Sequence, residues 1–159
     1  MQITIYTDGA AAGNPGPGGY GVVLKSGTHR KELSQGFRLT TNNRMELTAV
    51  IVGLETLKNQ GSQVTIYSDS KYVVDAVEKK WVFGWEKIGF KKKKNPDLWL
   101  RFLQIYRKHQ VDFVWIKGHA GNPENEICDR LAVSASKSSR LLIDTYYENS
   151  QNDEDDSLF

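Results

Sequence analysis

Two stretches of this chain, Ile3-Thr4-Ile5-Tyr6-Thr7-Asp8 and Val64-Thr65-Ile66-Tyr67-Ser68-Asp69, are near copies of each other. Both alternate apolar and polar residues and are rich in β-branched side chains, the pattern of a half-buried strand. Side chains alternate faces along a strand, so Asp8 shares a face with Thr4 and Tyr6, and Asp69 with Thr65 and Tyr67. If the two strands lie parallel and adjacent, both carboxylates leave the same end of a sheet on the same face. Two close carboxylates repel, and such a pair is stable only with a proton or a cation between them. Taken singly, Asp8 reads as an Asx-turn residue opening a glycine loop and Asp69 as a helix N-cap, as does Ser70. The shared pattern favours a common site.

Working outward, Asp8 to Gly19 is rich in Gly, Ala, Asn and Pro and reads as a loop. Tyr20 to Lys25 and Lys31 to Leu39 read as strands joined at Ser26-Gly27, hence antiparallel neighbours. Leu47, Val50, Ile51, Leu54 and Leu57 have the spacing of an amphipathic helix. After the strand ending at Asp69, a short helix is expected over Tyr72 to Val77 and a longer one over Leu98 to Lys108. A fifth strand follows at Val111 to Lys117. A last helix starts at Pro123 behind Asn122, with Cys128, Leu131, Ala132 and Ala135 as its buried stripe. This order predicts an α/β fold in one domain, a mixed sheet with helices packed on it.

The length of 159 residues suits that single domain with a short appendage. Hydrophobic residues make up 39% and charged residues 25%, which excludes a membrane-embedded or wholly disordered chain. No apolar run is long enough to span a bilayer, and the N-terminus has no signal-peptide pattern. The single cysteine, Cys128, excludes a disulfide framework and a cysteine-rich zinc site. A soluble, cytoplasmic, monomeric protein is expected. The net charge of +2 divides unevenly, with +8 on residues 1–140 and −6 on residues 141–159. A basic body points to a polyanionic partner, nucleic acid first.

Three further residues could join the two aspartates. Glu46 lies in Asn43-Arg44-Met45-Glu46, which has capping-box spacing and so a complete structural explanation. It also sits in the first helical turn, from which it could reach the sheet end where the aspartates emerge. Asp129 lies beside the apolar stripe of the last helix and could equally be solvated. His119, in Lys117-Gly118-His119-Ala120-Gly121, is either an ordinary loop residue or a proton shuttle.

The chain closely resembles the type 1 ribonuclease H family. The resemblance rests on Tyr-Thr-Asp-Gly at 6–9, Gly-Asn-Pro-Gly-Pro-Gly-Gly-Tyr-Gly at 13–21 and Thr-Thr-Asn-Asn-Arg-Met-Glu-Leu at 40–47. It continues with Ser-Asp-Ser at 68–70, Lys-Gly-His-Ala-Gly-Asn-Pro-Glu-Asn-Glu at 117–126 and Cys-Asp at 128–129. It covers about residues 2–135, in the family's order. It implies a five-stranded mixed sheet, with β1–β3 antiparallel and β4 and β5 parallel to β1, and helices on both faces. It implies endonucleolytic cleavage of the RNA strand of an RNA–DNA hybrid, with a role in removing RNA primers and R-loops. Asp8, Glu46, Asp69 and Asp129 match the four carboxylates that hold two Mg²⁺ ions, which Mn²⁺ can replace. His119 matches a histidine associated with proton transfer or product departure. Two hard cations suit this chemistry, one activating water and the other stabilising the departing 3′-oxygen, which leaves 5′-phosphate and 3′-hydroxyl ends.

Asn14, Asn42 and Asn43 match positions that contact substrate near the cut, and amides suit the ribose 2′-hydroxyl. Gly9 and Gly13 would let the backbone approach the RNA, and Thr41 matches a contact to a DNA phosphate. Residues 79–94 carry +6, with Lys79, Lys80, Lys87 and Lys91–Lys94 interleaved with Trp81, Trp85 and Phe90. This matches the family's basic protrusion, extending to about residue 95, which grips the DNA strand. Its lysines, Lys91 and Lys92 included, serve phosphates, while the aromatics serve sugars or bases or pack the protrusion itself. Lys71 stands where relatives often carry Gln. With all four carboxylates present, a nuclease is favoured over a non-catalytic hybrid-binding module. Met1 directly before the first strand favours a free-standing enzyme over a reverse-transcriptase domain. Residues 141–159 read as an acidic tail outside the family core. Its Ser157-Leu158-Phe159 ending resembles peptides that bind a sliding clamp or another replication protein.

Overall fold

The computed structural model describes residues 2–118 and 121–156. His119 and the Ser157–Phe159 ending therefore lie outside the described residues. Five strands form one sheet in the order β3-β2-β1-β4-β5. They are β1 (Gln2–Ala11), β2 (Gly16–Ser26), β3 (His29–Thr40), β4 (Gln63–Ser68) and β5 (Gln110–Trp115). β1 pairs with β2, and β2 with β3, antiparallel; β1 with β4, and β4 with β5, run parallel. This is the expected mixed sheet. The twin strands lie side by side in the register their sequences imply, Ile5 opposite Ile66 and Tyr6 opposite Tyr67. The two tyrosine rings stack at 4.9 Å. At the other end of the parallel trio, Gln2 Nε2 donates to Gln63 Oε1 (3.1 Å) and Gln63 Nε2 to Gln110 Oε1 (3.0 Å).

The glycine-rich stretch after Asp8 is mostly strand rather than loop. β1 runs on to Ala11 and β2 starts at Gly16, so only residues 12–15 turn the chain. Gly9, Gly18 and Gly19 there serve close packing, while Gly13 makes the turn. A Cβ on Gly21 would lie 2.2 Å from the Cys128 carbonyl oxygen. Helix α5 (Pro123–Ser136) can thus settle directly on the β2 backbone.

Helix α1 (Asn42–Glu55) covers the opposite face, against Ile5 and Val22. It is buried almost all round, Arg44 to Ile51 without a break, because α4 (Pro96–Tyr106) packs outside it. The narrow apolar stripe expected there is therefore too modest a description. Two short helices, α2 (Lys71–Glu78) and α3 (Trp81–Lys87), lead into α4. Trp99 of α4 is fully buried and meets Tyr72, Trp85 and Phe102 ring to ring. Burial of a large aromatic of this kind stabilises a fold by roughly 3 kcal/mol. Among the described residues, no helix is long and apolar enough to cross a membrane.

The stretch from residue 141, expected to be a tail, packs against β3. Leu142 forms a backbone bridge to Phe37, with Leu142 N donating to Gly36 O and Arg38 N to Leu142 O, both at 2.9 Å. Helix α6 follows at Thr145–Asp156. Composition shows six acidic residues here, but not that two of them answer buried or pinned arginines. The Arg44 side chain is 3% exposed, and its Nε lies 2.7 Å from Asp144. Its two terminal nitrogens hold Asp97 at 2.9 and 2.7 Å. Asp144 also accepts from Thr40 Oγ1 (2.8 Å), and Arg38 grips Glu148 through Nε and a terminal nitrogen. A guanidinium with five donors needs such partners when buried.

Candidate active site

The candidate site lies where β1 and β4 end, between α1 on one face of the sheet and α5 on the other. Asp8, Glu46 and Asp69 each offer a carboxylate oxygen, and these oxygens all lie within 4.8 Å of one another. They come from a strand, a helix and the residue just after a strand, so tertiary folding alone brings them together. A cavity of about 440 Å³ contains all three, with Asp129, Glu126, Gly9, Asn42 and Asn43 among its walls.

Local structure explains why helix capping does not account for Glu46 and Asp69. The α1 cap is Thr41, whose Oγ1 accepts from Arg44 N at 3.2 Å. Asn43 is therefore not the cap, and Glu46 falls two residues past the position a capping box requires, which Arg44 occupies. Ser70 caps α2 by accepting from Val73 N at 3.3 Å, which relieves Asp69 of that duty. Asp8 does make a local turn contact, accepting from Gly9 N at 2.9 Å. Gly9 is the joint of the site, since a Cβ there would lie 2.4 Å from Glu46 N. Only glycine lets the end of β1 press against the first turns of α1, which is what carries Asp8 to Glu46. This packing is a structural reason for Gly9, where the sequence suggests close approach to RNA.

Burial and mutual repulsion raise the affinity of the cluster for protons. Asp8 is 6% exposed, and burial, together with the Asp69 charge, pushes its carboxyl up to about 7. Glu46 is raised well above the usual carboxylate range by burial and by the charges of Asp8 and Asp69. Glu46 Oε2 is buried with no hydrogen-bond partner among the described residues. Buried carboxylate oxygens with unmet demand are the donor set that hard divalent cations take. The residues therefore fit a divalent metal site, with Asp129 on the cavity wall and close enough to raise the Asp8 carboxyl further.

The substrate-contact candidates separate into groups. Asn14 Oδ1 accepts from Asn42 N (2.9 Å), and Asn42 Oδ1 accepts from Ala11 N (2.6 Å). These amides brace the loop to α1 and keep their nitrogens as donors. Asn14, Thr41 and Asn43 share a second cavity, of about 530 Å³, with Lys93, Lys94 and residues of α6. Gly13 occupies the left-handed region at φ 81°, a turn requirement. In the protrusion, Trp81 is 48% exposed with Lys79 Nζ 5.1 Å from its ring centre. Trp85 is partly buried, edge-on to Trp99, and Phe90 is buried, so these two build the protrusion's own support. Lys80, Lys87, Lys91 and Lys92 are exposed and lie outside both cavities. Gly118, the described residue just before His119, lies against the site, where a Cβ would come within 3.0 Å of Asp69 Oδ2.

Sequence reasoning missed Arg44, Asn95 and the α6 residues Tyr146 and Tyr147. The Arg44 guanidinium sits 5.5 and 5.9 Å from the two tyrosine ring centres, and one terminal nitrogen reaches Asn95 Oδ1 at 3.2 Å. A lone arginine at the start of a buried helix was the available signal.

A family model described as RNase H matches residues 1–137. The chain is 58% identical to the ribonuclease H of Rippkaea orientalis, with 93% of each chain covered. Among solved structures it resembles LC9-RNase H1, a type 1 RNase H (TM-score 0.76, 32% identity, 92% of this chain and 79% of that one). It also resembles LC11-RNase H1 in complex with an RNA/DNA hybrid (TM-score 0.61, 30% identity, 85% and 96% covered). With the carboxylates assembled at the strand ends and relatives matched nearly end to end, the chain belongs to the ribonuclease H family.

Proposed function

We propose that this chain hydrolyses the RNA strand of RNA–DNA hybrids endonucleolytically, using two Mg²⁺ ions that Mn²⁺ can replace. The reading rests on one observation above all: Asp8, Glu46 and Asp69, from three separate elements, present oxygens within 4.8 Å of one another in one cavity. Family membership supplies the reaction class, and the hybrid-bound LC11 relative supports the substrate. When bound, the cations supply Lewis-acid activation of water and stabilisation of the leaving 3′-oxygen.

The chain's own residues do the rest. Asp8, Glu46, Asp69 and Asp129 hold the cations, and the tight β1–α1 joint at Gly9 fixes the first two without further reorganisation. Asn42 and Asn43, on the cavity wall, donate from their amide nitrogens to the ribose 2′-hydroxyl, the group that distinguishes RNA from DNA. Asn14 and Thr41 meet a DNA-strand phosphate beside Lys93 and Lys94. The exposed lysines of residues 79–94, with Trp81, hold the DNA strand further along. His119 handles the proton at the 3′-oxygen, a role supported by the contact of Gly118 with Asp69.

The test is incubation with a labelled hybrid, duplex RNA and duplex DNA, each with and without Mg²⁺. The expected result is selective, Mg²⁺-dependent cutting of the hybrid's RNA strand, with 5′-phosphate ends. Cutting of duplex RNA at the same rate, or cutting unaffected by a chelator, would overturn the proposal.

A further inference from the structure

Among its described walls, the cavity that holds the carboxylates has one lysine or arginine. Asp8, Glu46, Asp69, Glu126 and Asp129 line it, and Lys71 is the sole lysine or arginine among its described walls. Lys71 is the first residue of α2, directly after the Ser70 cap. That is the end of a helix where the backbone dipole disfavours a cation. Its placement there therefore depends on other groups. One is the indole of Trp115, with Lys71 Nζ 4.8 Å from the ring centre. Trp115 is itself fastened to the site, since its Nε1 donates to the Asp69 carbonyl oxygen at 3.2 Å. It lies opposite Ser68 in the β4–β5 register and is 43% exposed, large for a tryptophan on a sheet. The ring forms a shelf, anchored beside Asp69, for the ammonium of a residue that lines the acidic cavity.

We propose that Lys71, held on the Trp115 ring, weakens and thereby sets the affinity of the carboxylate cluster for divalent cations. A fixed positive charge on the cavity wall opposes the entry of a second and third, and it supplies part of the counter-charge before metal arrives. The inference rests on the metal-site reading above and deepens it. A charge on an exposed side chain acts through water, so its effect is modest and salt-sensitive.

The experiment is a Mg²⁺ titration of the full-length protein without nucleic acid, followed by calorimetry or by amide shifts in NMR spectra. The variants are Lys71→Met, Lys71→Arg and Trp115→Leu. Lys71→Met keeps most of the side-chain stem and removes the charge, so it should tighten Mg²⁺ binding roughly three- to tenfold at low ionic strength. The gap should close at about 1 M KCl, where charges are screened within about 3 Å. Lys71→Arg should bind as the parent does, and Trp115→Leu should give part of the tightening. Unchanged or weaker binding in Lys71→Met would overturn the proposal. So would unchanged binding accompanied only by a higher KM for hybrid, which would make Lys71 a phosphate contact. Asp8→Asn is the control for the underlying reading. If it leaves Mg²⁺ binding intact, the metal site itself is misplaced, an outcome distinct from failure of the Lys71 variants.

Discussion

The acidic pocket and the basic protrusion serve the same proposed substrate by opposite physical means. The pocket's groups are held on regular elements, and Asp8 and Glu46 are buried and raised in pKa. The protrusion's lysines are exposed, and the rigid parts there are the aromatics beneath, Trp85 and Phe90. Metal-dependent chemistry demands fixed ligands, so the pocket spends fold stability on placing like charges together. Phosphate binding demands only local charge density, so the protrusion leaves its lysines exposed to solvent. The two regions should therefore fail differently when altered.

The largest effect is expected from Asp8→Asn, which should lower hybrid cleavage by more than about 10²-fold. Loss of a group one layer further from a metal already costs about 10- to 100-fold. The fold should persist, as circular dichroism would show. The same change tests the charge strain. The Asp8 carboxyl titrates near 7 in the folded chain against an ordinary 3.8, so the folded state binds more protons between those values. Metal-free parent protein should therefore lose stability as pH rises from about 4 to about 7. Asp8→Asn should flatten that slope in thermal melts, and a slope identical to the parent's would contradict the assignment.

Arg44, on α1 two residues before Glu46, holds Asp97 at the protrusion's exit and Asp144 at the entry to α6. Arg44→Ala leaves Asp144 buried without its counter-charge, and about 3–5 kcal/mol of stability should be lost. For a chain of this size the Tm should fall by roughly 10 °C. A chain ending after Arg140 should show a comparable loss, whereas an unaltered Tm would mean that residues 141–156 are dispensable to the fold. Gly9→Ala should cost about 1–3 kcal/mol by overpacking the β1–α1 joint. It should lower kcat more than it raises KM. The smallest effect is expected in the protrusion. Changing Lys91–Lys94 to Gln should weaken hybrid binding by roughly tenfold at low salt and flatten its salt dependence, with kcat nearly unchanged. An unaltered salt slope would remove these lysines from the interface.

The fold was legible where pattern and spacing carry the signal. The twin strands announced their own pairing, and the Ile3-to-Asp8 alternation is strand. Glu46 was legible only as an ambiguity, because a capping box and a metal ligand look alike in one dimension. Three-dimensional packing moves the cap to Thr41 and so removes the capping-box explanation. Gly9 and Gly19 were misread as loop signals because a missing side chain in a strand can mean flexibility or a close neighbour. Nothing local distinguishes the two. The docking of residues 141–156 was hidden for a similar reason. Composition registers Asp144 and Glu148 as surplus charge, and only the folded chain shows the arginines that claim them.

The glutamine ladder across Gln2, Gln63 and Gln110 has a consequence for the distant site. It ties the starts of three parallel strands, six residues ahead of Asp8 and of Asp69, or about 20 Å away at about 3.3 Å per residue. A slip of one residue between β1 and β4 would turn one aspartate to the opposite face. The ladder thus works as a datum line, as a machinist uses a reference edge: alignment set at one margin of the sheet fixes the spacing of tools at the other.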